Sequence, residues 1–291
     1  MKILVCGANG QVGSELVERA RDFPVELIAT GERELDIGNA AAIQRYVDDQ
    51  RPDLLINAAA YTAVDKAEQD RERCFRVNRD ASGLLADACA RAGIPLFHIS
   101  TDYVFDGRLD RPYRETDPPG PINTYGRSKW EGEQRVGERL ERHLILRVAW
   151  VFGPHGNNFV KTIARLARER DELSIVADQL GSPTPASAIA TTLLELASRL
   201  ARDGDLAWGT YHYGGAPDCS WYDFATRIVA QLGDSSTRLN PIRTAAYPTP
   251  AARAANTRLD CSLIKETFGI KRPDWRSALL EPGLLADYSK V

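Results

Sequence analysis

Residues 2–13 read KILVCGANGQVG, and this stretch decides the fold of the chain. Its first part, residues 2–6, is a short apolar run bounded by glycine, which predicts a buried parallel strand. Gly7, Gly10 and Gly13 follow, and apolar residues then recur at helical spacing. A dinucleotide-binding loop requires this order of strand, glycine turn and helix, because amides at a helix N-terminus face the pyrophosphate. We therefore expect a dinucleotide site at the start of the chain.

Strand and helix patterns alternate outward from this stretch. Further strands are predicted at residues 25–29, 54–57, 96–100 and 142–148. Helical patterns lie between them at residues 40–49 and 66–92, the latter broken near Asn78. Repeated units of this kind predict an α/β fold with a Rossmann-type, doubly wound parallel sheet. Ligands of such sheets bind at the carboxyl ends of the strands.

The alternation loosens after residue 150. A helical pattern at residues 159–170 is followed by turn-rich sequence at 178–185, and further helical patterns flank a strand-like run at 210–213. We predict a dinucleotide-binding Rossmann domain over residues 1–150 and a smaller mixed α/β lobe over residues 151–291 that mainly binds substrate. Segments of this lobe are expected to return to the Rossmann sheet.

Composition narrows the class of protein. The 291 residues carry a net charge of -3, with 43% hydrophobic and 26% charged residues, as in ordinary globular proteins. This charge balance predicts no nucleic-acid partner. No run of about 18 apolar residues occurs, so no membrane association is expected. Five scattered cysteines without zinc-type spacing, and a start at Met1 directly into a strand pattern, predict reduced thiols in a cytoplasmic protein.

The end of the second predicted strand bears on the choice of dinucleotide. An acidic side chain at this place normally bonds the adenine ribose of NAD. Here Thr30 and Gly31 are followed by Glu32 and Arg33. Since no acidic residue stands directly at the strand end, Arg33 favours the 2′-phosphate of NADP, whereas Glu32 leaves NAD open.

Two groups of polar residues are expected at the mouth of the site. Ser100, Thr101 and Asp102 follow a predicted strand, where a hydroxyl can stabilise a substrate oxygen that gains negative charge. A turn that caps the strand is the alternative interpretation. Tyr125 and Lys129 are four residues apart and share one face of a helix. The cation is expected to lower the pKa of the phenol, which makes the pair a candidate general acid; two unrelated polar residues on an exposed helix are the alternative.

Together these motifs resemble the extended short-chain dehydrogenase/reductase superfamily and, within it, the family of dTDP-4-dehydrorhamnose reductases. The matching runs are residues 7–13, 35–37, 57–66, 100–105, 125–129, 150, 156–159, 178–184 and 247–250. The resemblance implies NAD(P)H-dependent reduction of the C4 ketone of dTDP-4-dehydro-L-rhamnose to dTDP-L-rhamnose, a step of polysaccharide biosynthesis. It implies a dTDP-sugar substrate and NADPH as the cofactor, with NADH as the alternative.

The resemblance also implies roles for individual residues. Together with Arg33, the residues that would bind the cofactor are Gly7, Gly10, Gln11, Val12, Asp36, Ile37, Ala59, Ala60, Tyr61, Thr62, Tyr125 and Lys129. The residues that would contact the substrate are Thr101, Asp102, Tyr125, Trp150 and Asn158. Tyr125 would give its proton to the alkoxide formed at C4, with its pKa lowered by Lys129 and with Thr101 as a second donor.

Two alternatives stay open: a reductase of another 4-keto-6-deoxy sugar nucleotide, and a non-catalytic protein similar to the regulatory subunit of methionine adenosyltransferase. A 4,6-dehydratase is disfavoured, because Asp102 is followed by Tyr103 and not by a glutamate base.

Some family members form a dimer bridged by magnesium through glutamates. Glu15 is present, but Ser187 stands where a second glutamate is expected. No metal ligands are therefore assigned, Mg²⁺ stays open, and a monomer or homodimer is expected.

Overall fold

The computed structural model describes residues 1–233, 236–281 and 284–285, so the end of the predicted lobe, residues 286–291, lies outside it. The strands are β1 (Lys2–Cys6), β2 (Glu26–Thr30), β3 (Leu54–Asn57), β4 (Leu96–Thr101), β5 (His143–Val148), β6 (Val151–Phe152), β7 (Glu172–Val176), β8 (Leu180–Gly181), β9 (Thr184–Pro185), β10 (Gly209–Tyr213), β11 (Cys219–Ser220) and β12 (Arg238–Ile242). The α-helices are α1 (Gln11–Arg19), α2 (Ala40–Gln50), α3 (Val64–Ala67), α4 (Arg71–Phe75), α5 (Ala81–Ala92), α6 (Thr124–Arg139), α7 (Phe159–Glu169), α8 (Ala186–Asp203), α9 (Trp221–Ala230), α10 (Ser262–Phe268) and α11 (Trp275–Ala278). Short 3₁₀ turns lie at Ala20–Asp22, Asp102–Val104 and Thr244–Ala246, and a π-helical turn lies at Arg76–Asp80.

Six strands form one parallel sheet in the order β10-β5-β4-β3-β1-β2. The predicted doubly wound parallel sheet is therefore confirmed. The strand order reverses at β1, because the chain moves outward to β2 and then crosses back to β3. The loops after β1 and β3 border this switch point, which is where ligands of such sheets bind.

Both faces of the sheet are covered, as β1 shows. Ile3 and Val5 pack in a core with α1 and α8, whereas Leu4 and Cys6 pack in a core with α2 and α5. All four side chains are fully buried. A parallel strand buried on both faces has a continuous apolar sequence, which explains the unbroken run of residues 2–6.

The second half of the chain contributes to two cores. β10 pairs with β5 at the edge of the large sheet, and α8 packs against α1. Phe224 and Trp275 belong to a separate core with residues of α7, β7 and α9. β10 and α8 follow residue 150 in sequence, yet they pack in the same core as β1 and α1. The division into two domains at residue 150 therefore stays a prediction. None of the helices in the described parts of the chain is both long and apolar enough to cross a membrane.

The predicted helix over residues 66–92 is split in the structure. α3 ends at Ala67, α4 begins at Arg71, and a π-helical turn that contains Asn78 precedes α5. The turn confirms the predicted break near Asn78. In the gap before α4, the carboxylate of Glu68 accepts hydrogen bonds from the backbone and hydroxyl of Thr124, both at 2.8 Å, which ties this gap to the start of α6.

Two further differences concern the second half of the chain. β7 and β12 form a parallel pair that the pattern did not predict, because β12 carries Pro241 and has no buried residue. The helices α10 and α11 were also absent from the prediction; each has two turns or fewer. Short elements of this kind depend on tertiary packing, since isolated helices of this length are marginal in water.

Candidate active site

The glycine loop packs so closely against its neighbours that side chains are excluded. Gly7 has φ +82°, and a Cβ on it would lie 2.5 Å from the backbone nitrogen of Ala59. A Cβ on Gly13 would lie 2.1 Å from the Gly7 oxygen, so α1 can start already at Gln11 only with glycine at position 13. Among the described residues, no side chain caps α1 at Gly10. The first amides of α1 are therefore available to an anion, and the loop fits a dinucleotide pyrophosphate.

The loop after β3 lies across the switch point from the glycine loop. Ala59, Ala60 and Tyr61 are half-buried, and Thr62 is exposed. Asn78 holds this loop from the π-helical turn: its Oδ1 accepts the Tyr61 N–H at 2.8 Å, and its Nδ2 donates to the Tyr61 oxygen at 3.1 Å. From the sequence, Asn78 was predicted only to interrupt a helix. Its hydrogen bonds to Tyr61 could not be predicted, because the two residues come together only in the folded chain.

The adenine end of the predicted cofactor site is open to solvent. Asp36 and Arg33 are exposed and Ile37 is half-buried. The Gly31 N–H donates to the Glu34 carboxylate at 2.9 Å. Glu34 therefore lies beside the end of β2. From the sequence, only Glu32 was expected as an acidic residue near this strand end.

Helix α6 brings the tyrosine and lysine to the ends of β4 and β5. Asn123 caps this helix through its Oδ1, which accepts the Gly126 N–H at 2.8 Å. A Cβ on Gly126 would lie 2.1 Å from the Tyr103 oxygen, so the helix packs directly on the turn after β4. Tyr125 and Lys129 are consequently buried, with 9% and 2% of their surface exposed. The prediction that they share one helical face is confirmed, and the alternative of an exposed helix face is wrong.

The predicted effect of the lysine on the phenol is wrong in this structure. Burial raises the pKa of Tyr125, and the neighbouring Thr101 hydroxyl offsets only part of this rise. The Lys129 ammonium instead donates to the Ile99 oxygen at 2.7 Å. Burial lowers the pKa of Lys129 to about 8. The phenol is therefore protonated at neutral pH, which is the form that a proton donor requires.

Thr101 and Asp102 form the second polar group of the site. The Thr101 hydroxyl donates to Asp102 Oδ1 at 2.9 Å and accepts the Tyr103 N–H at 3.2 Å. A hydroxyl has one proton, so donation to a substrate requires Thr101 to turn away from Asp102. Asp102 Oδ2 is buried without a hydrogen-bond partner. Asp102 is 1% exposed and Thr257 lies near its carboxyl, so the predicted contact with a sugar would require this oxygen to be uncovered and stays a prediction.

A buried ion pair fixes α6 against the two strands. Arg147 of β5 donates to both oxygens of Glu133 on α6, with Nη2 at 2.6 Å from Oε2. The Ser100 hydroxyl donates to the same carboxylate. Glu133 and Arg147 are each 3% exposed. Ser100 thus has a structural partner, and this pair was not predicted because its members lie far apart in sequence.

Trp150 follows β5 and faces the second half of the chain. Its backbone has φ +46°, and its ring stacks on Trp221 with centroids 3.4 Å apart and an angle of 6° between the rings. Gly181 leaves the space for this ring, because a Cβ there would lie 2.2 Å from it. A left-handed backbone at a bulky residue is uncommon and often occurs at functional sites. Its contact with the hexose stays a prediction.

Asn158 has a role that the sequence did not indicate. Its Oδ1 accepts the Lys161 N–H at 3.1 Å and so caps α7. Its Nδ2 donates to Gln11 Oε1 at 3.0 Å and to the Gly153 oxygen at 2.8 Å. Asn158 therefore links the glycine loop to the second half of the chain. Both Nδ2 hydrogens are used, so the predicted contact with substrate would use the second lone pair of Oδ1 or replace one of these hydrogen bonds.

Glu15, Glu18 and His155 form a small cluster beside α1. Glu15 is paired with Arg19 at 2.9 Å, and His155 Nε2 lies 2.9 Å from Glu18. Ser187 donates to Glu281 at 3.3 Å. These contacts do not test the expectation for Mg²⁺, which stays open.

We expect Asp102→Asn to stabilise the protein at neutral pH. Burial raises the pKa of Asp102 from 3.8 to about 6, although nearby Thr257 and Thr101 offset part of the rise. The folded state thus retains a proton that the unfolded state loses, so stability is full below about pH 4 and falls as pH rises towards 6. Asparagine removes this loss, with a gain on the order of 1–3 kcal/mol at pH 7.

Urea unfolding between pH 2 and 8 measures this effect and that of the control. Asp117→Asn is the control of opposite sign, because the Arg111 guanidinium lowers the pKa of Asp117 to about 2. Its ionised form contributes stability above its unfolded pKa that is lost in acid. Equal pH dependence of wild type and Asp102→Asn would contradict the account of Asp102.

A doubly wound parallel sheet, a glycine loop at its switch point and a buried tyrosine and lysine at the strand ends define a Rossmann-type oxidoreductase of the short-chain dehydrogenase/reductase class. Within it, the chain belongs to the family described as "RmlD substrate binding domain", whose model matches residues 1–285.

Relatives and solved structures of this family are similar over nearly the full chain. The dTDP-4-dehydrorhamnose reductase of Burkholderia thailandensis is 46% identical over 291 residues, covering 96% of this chain and 97% of the relative. That of Sinorhizobium fredii is 42% identical over 283 residues, covering 96% and 95%. The crystal structure of the Bacillus anthracis reductase in complex with NADP has a TM-score of 0.88 and 35% identity, with 96% of each chain covered.

Proposed function

We propose that this chain reduces the C4 ketone of dTDP-4-dehydro-L-rhamnose to dTDP-L-rhamnose with a reduced nicotinamide dinucleotide. The observation that carries the proposal is the arrangement at the end of β4, where Tyr125 lies beside the Thr101 hydroxyl and Lys129 Nζ lies 2.7 Å from the Ile99 oxygen. The names of the full-length relatives support the substrate, and the NADP complex of the Bacillus anthracis reductase supports the cofactor.

Different residues of the chain would bind the dinucleotide, donate the proton and position the sugar. The amides at the start of α1 bind the pyrophosphate of the dinucleotide, and residues 59–62 border its nicotinamide end. When bound, the reduced dinucleotide supplies a hydride to C4 of the sugar. Tyr125 is protonated at neutral pH and gives its proton to the oxygen at C4. Asp102 accepts a hydrogen bond from the sugar through its unpaired oxygen.

The sequence after residue 150 would hold the rest of the substrate. Trp150 is held between Trp221 and Gly181, so the edge of its ring would contact the hexose. Asn158, bonded to Gln11, keeps this part of the chain against the glycine loop. We propose that the dTDP group is bound mainly by the lobe of residues 151–291.

Incubation with NADPH and dTDP-4-dehydro-L-rhamnose tests the proposal. We expect loss of NADPH absorbance together with one equivalent of dTDP-L-rhamnose, identified by chromatography and mass spectrometry. Other 4-keto-6-deoxy sugar nucleotides, offered in parallel, show whether this substrate is preferred. No oxidation of NADPH or NADH with any of them would contradict a reductase and favour the non-catalytic alternative.

Arg33→Ala is expected to raise KM for NADPH more than KM for NADH. Arg33 is exposed behind the end of β2, where its guanidinium can meet the 2′-phosphate. A charge-assisted hydrogen bond of this kind contributes about 1.5–3 kcal/mol, so a rise of roughly 10- to 100-fold for NADPH is expected. Arg45→Ala, an exposed arginine on α2, is the control. Equal changes with both cofactors would remove Arg33 from this role.

A further inference from the structure

A buried chain of polar groups leads from the loop after β3 to the active-site lysine. The Ala59 N–H donates to Asn57 Oδ1 at 3.1 Å. Asn57 Nδ2 lies 3.1 Å from His98 Nδ1, and His98 Nε2 lies 3.4 Å from Lys129 Nζ. Asn57, His98 and Lys129 are 1%, 0% and 2% exposed. The proposed function uses Lys129 and the loop but assigns no role to Asn57 or His98.

The positions of the hydrogens in this chain follow from its fixed end. A backbone N–H can only donate, so the oxygen of Asn57 faces Ala59 and its NH₂ group faces His98. His98 Nδ1 must then accept. Burial holds the pKa of His98 well below its usual value, so the ring is neutral and carries its one hydrogen on Nε2. That hydrogen points at the nitrogen of Lys129.

An ammonium group and a neutral amine respond differently to this hydrogen. The ammonium has three N–H donors and no lone pair, so His98 Nε2–H faces another donor. The amine keeps an N–H for the Ile99 oxygen, 2.7 Å away, and its lone pair accepts the hydrogen of His98. The buried chain therefore favours the amine.

We propose that His98, oriented by Asn57, is a positioning residue that donates a hydrogen bond to the amine form of Lys129 and so promotes release of the lysine proton. Its catalytic consequence rests on the proposed function. Once Tyr125 has given its proton to the substrate, a phenolate and the Lys129 ammonium remain. One N–H bond of the ammonium breaks and the phenol O–H forms, which leaves a neutral phenol and an amine held by His98.

The other groups around Lys129 act on its pKa in opposite directions and hold it near neutral pH. Burial is the largest influence and disfavours the ammonium, whereas Glu133 on the same helix and Cys74 on α4 favour it. The resulting pKa of Lys129 is about 8. The phenolate of Tyr125, one helical turn earlier on α6, is the proposed acceptor. Both forms of the lysine are thus accessible under working conditions.

Nitrogen-15 NMR of histidine-labelled protein tests the assignment without substrate. The chain has four histidines, and His98→Phe identifies the His98 signal. We expect the Nε2–H tautomer in the wild type. In Asn57→Asp the carboxylate accepts from both Ala59 and Nδ1–H, so the hydrogen should move to Nδ1. An Nδ1–H tautomer of His98 in the wild type would overturn the inference, and sequence-specific NMR assignment identifies this signal should His98→Phe not fold.

The titration of Lys129, followed through its labelled side-chain nitrogen, is the second readout. Asn57→Asp is expected to raise its pKa by about one unit or more, because Nε2 then accepts from the ammonium and a carboxylate lies nearby. His98→Phe adds no charge and is also expected to raise it. The alkaline inflection of kcat should move in the same direction. A rise in Asn57→Asp alone would assign the effect to charge and overturn the role of His98.

Failure of this inference is distinguishable from failure of the proposed function. The tautomer and the lysine titration are measured on the protein without any sugar nucleotide. Turnover with a wrong tautomer removes His98 from its role but keeps the reductase. The expected tautomer without turnover on any sugar nucleotide contradicts the reductase.

Discussion

Tyr125→Phe is expected to lower kcat by about 10²–10⁴-fold, the usual contribution of a general acid. Burial raises the pKa of Tyr125, so its proton is present throughout the neutral range and is lost only with the hydroxyl itself. Phenylalanine keeps the ring and its edge-on contact with Tyr103, whose centroid is 5.4 Å away. The fold and the cofactor site should therefore persist.

Steady-state kinetics and fluorescence titration with NADPH separate these effects. The dissociation constant for NADPH should stay within about threefold of wild type, because the lost interaction acts in the transition state. Tyr103→Phe removes the neighbouring hydroxyl in the same way and is the matched control. Retention of kcat within about tenfold in Tyr125→Phe would remove this residue from its proposed role.

Glu133→Gln is expected to destabilise the protein by about 3–5 kcal/mol, since it leaves the Arg147 guanidinium buried without its counter-charge. Arg147 makes three hydrogen bonds to Glu133 at 3.2 Å or less, and both side chains are 3% exposed. The pair joins α6 to β5 one helical turn beyond Lys129. Loss of the pair should therefore also disturb the position of the lysine.

Urea unfolding at pH 7 measures the free energy of unfolding of wild type and Glu133→Gln. Glu169→Gln is the control, because its ion pair with Arg165 is half-exposed and such changes stay within about 0.5 kcal/mol. The double change Glu133→Leu with Arg147→Met removes both charges and should recover most of the loss. A cost of Glu133→Gln as small as that of the control would show that the buried pair contributes little.

The parts of the fold that sequence predicts well are those in which local signals agree. β1 has an apolar run of five residues followed by glycines, and its predicted bounds match the structure. The helix of Tyr125 and Lys129 has a capping asparagine and ends close to the next strand. In both places the local pattern and the tertiary packing favour the same structure.

The sequence fails where partners lie far apart in the chain. The amide of Asn158 bonds Gln11, which precedes it by 147 residues, and no local pattern marks that contact. The spacing of Tyr125 and Lys129 predicts proximity, but only the packed structure shows that burial raises the phenol pKa. Desolvation depends on every element that covers the side chain.

Isotope transfer tests the central claim most directly. NADPH that carries deuterium at the transferred C4 position of its nicotinamide ring is incubated with dTDP-4-dehydro-L-rhamnose and wild-type protein. We expect one deuterium at C4 of the dTDP-L-rhamnose product, from wild type and, at a much lower rate, from Tyr125→Phe. Product without deuterium at C4, or oxidation of NADPH without reduction of the ketone, would contradict this claim.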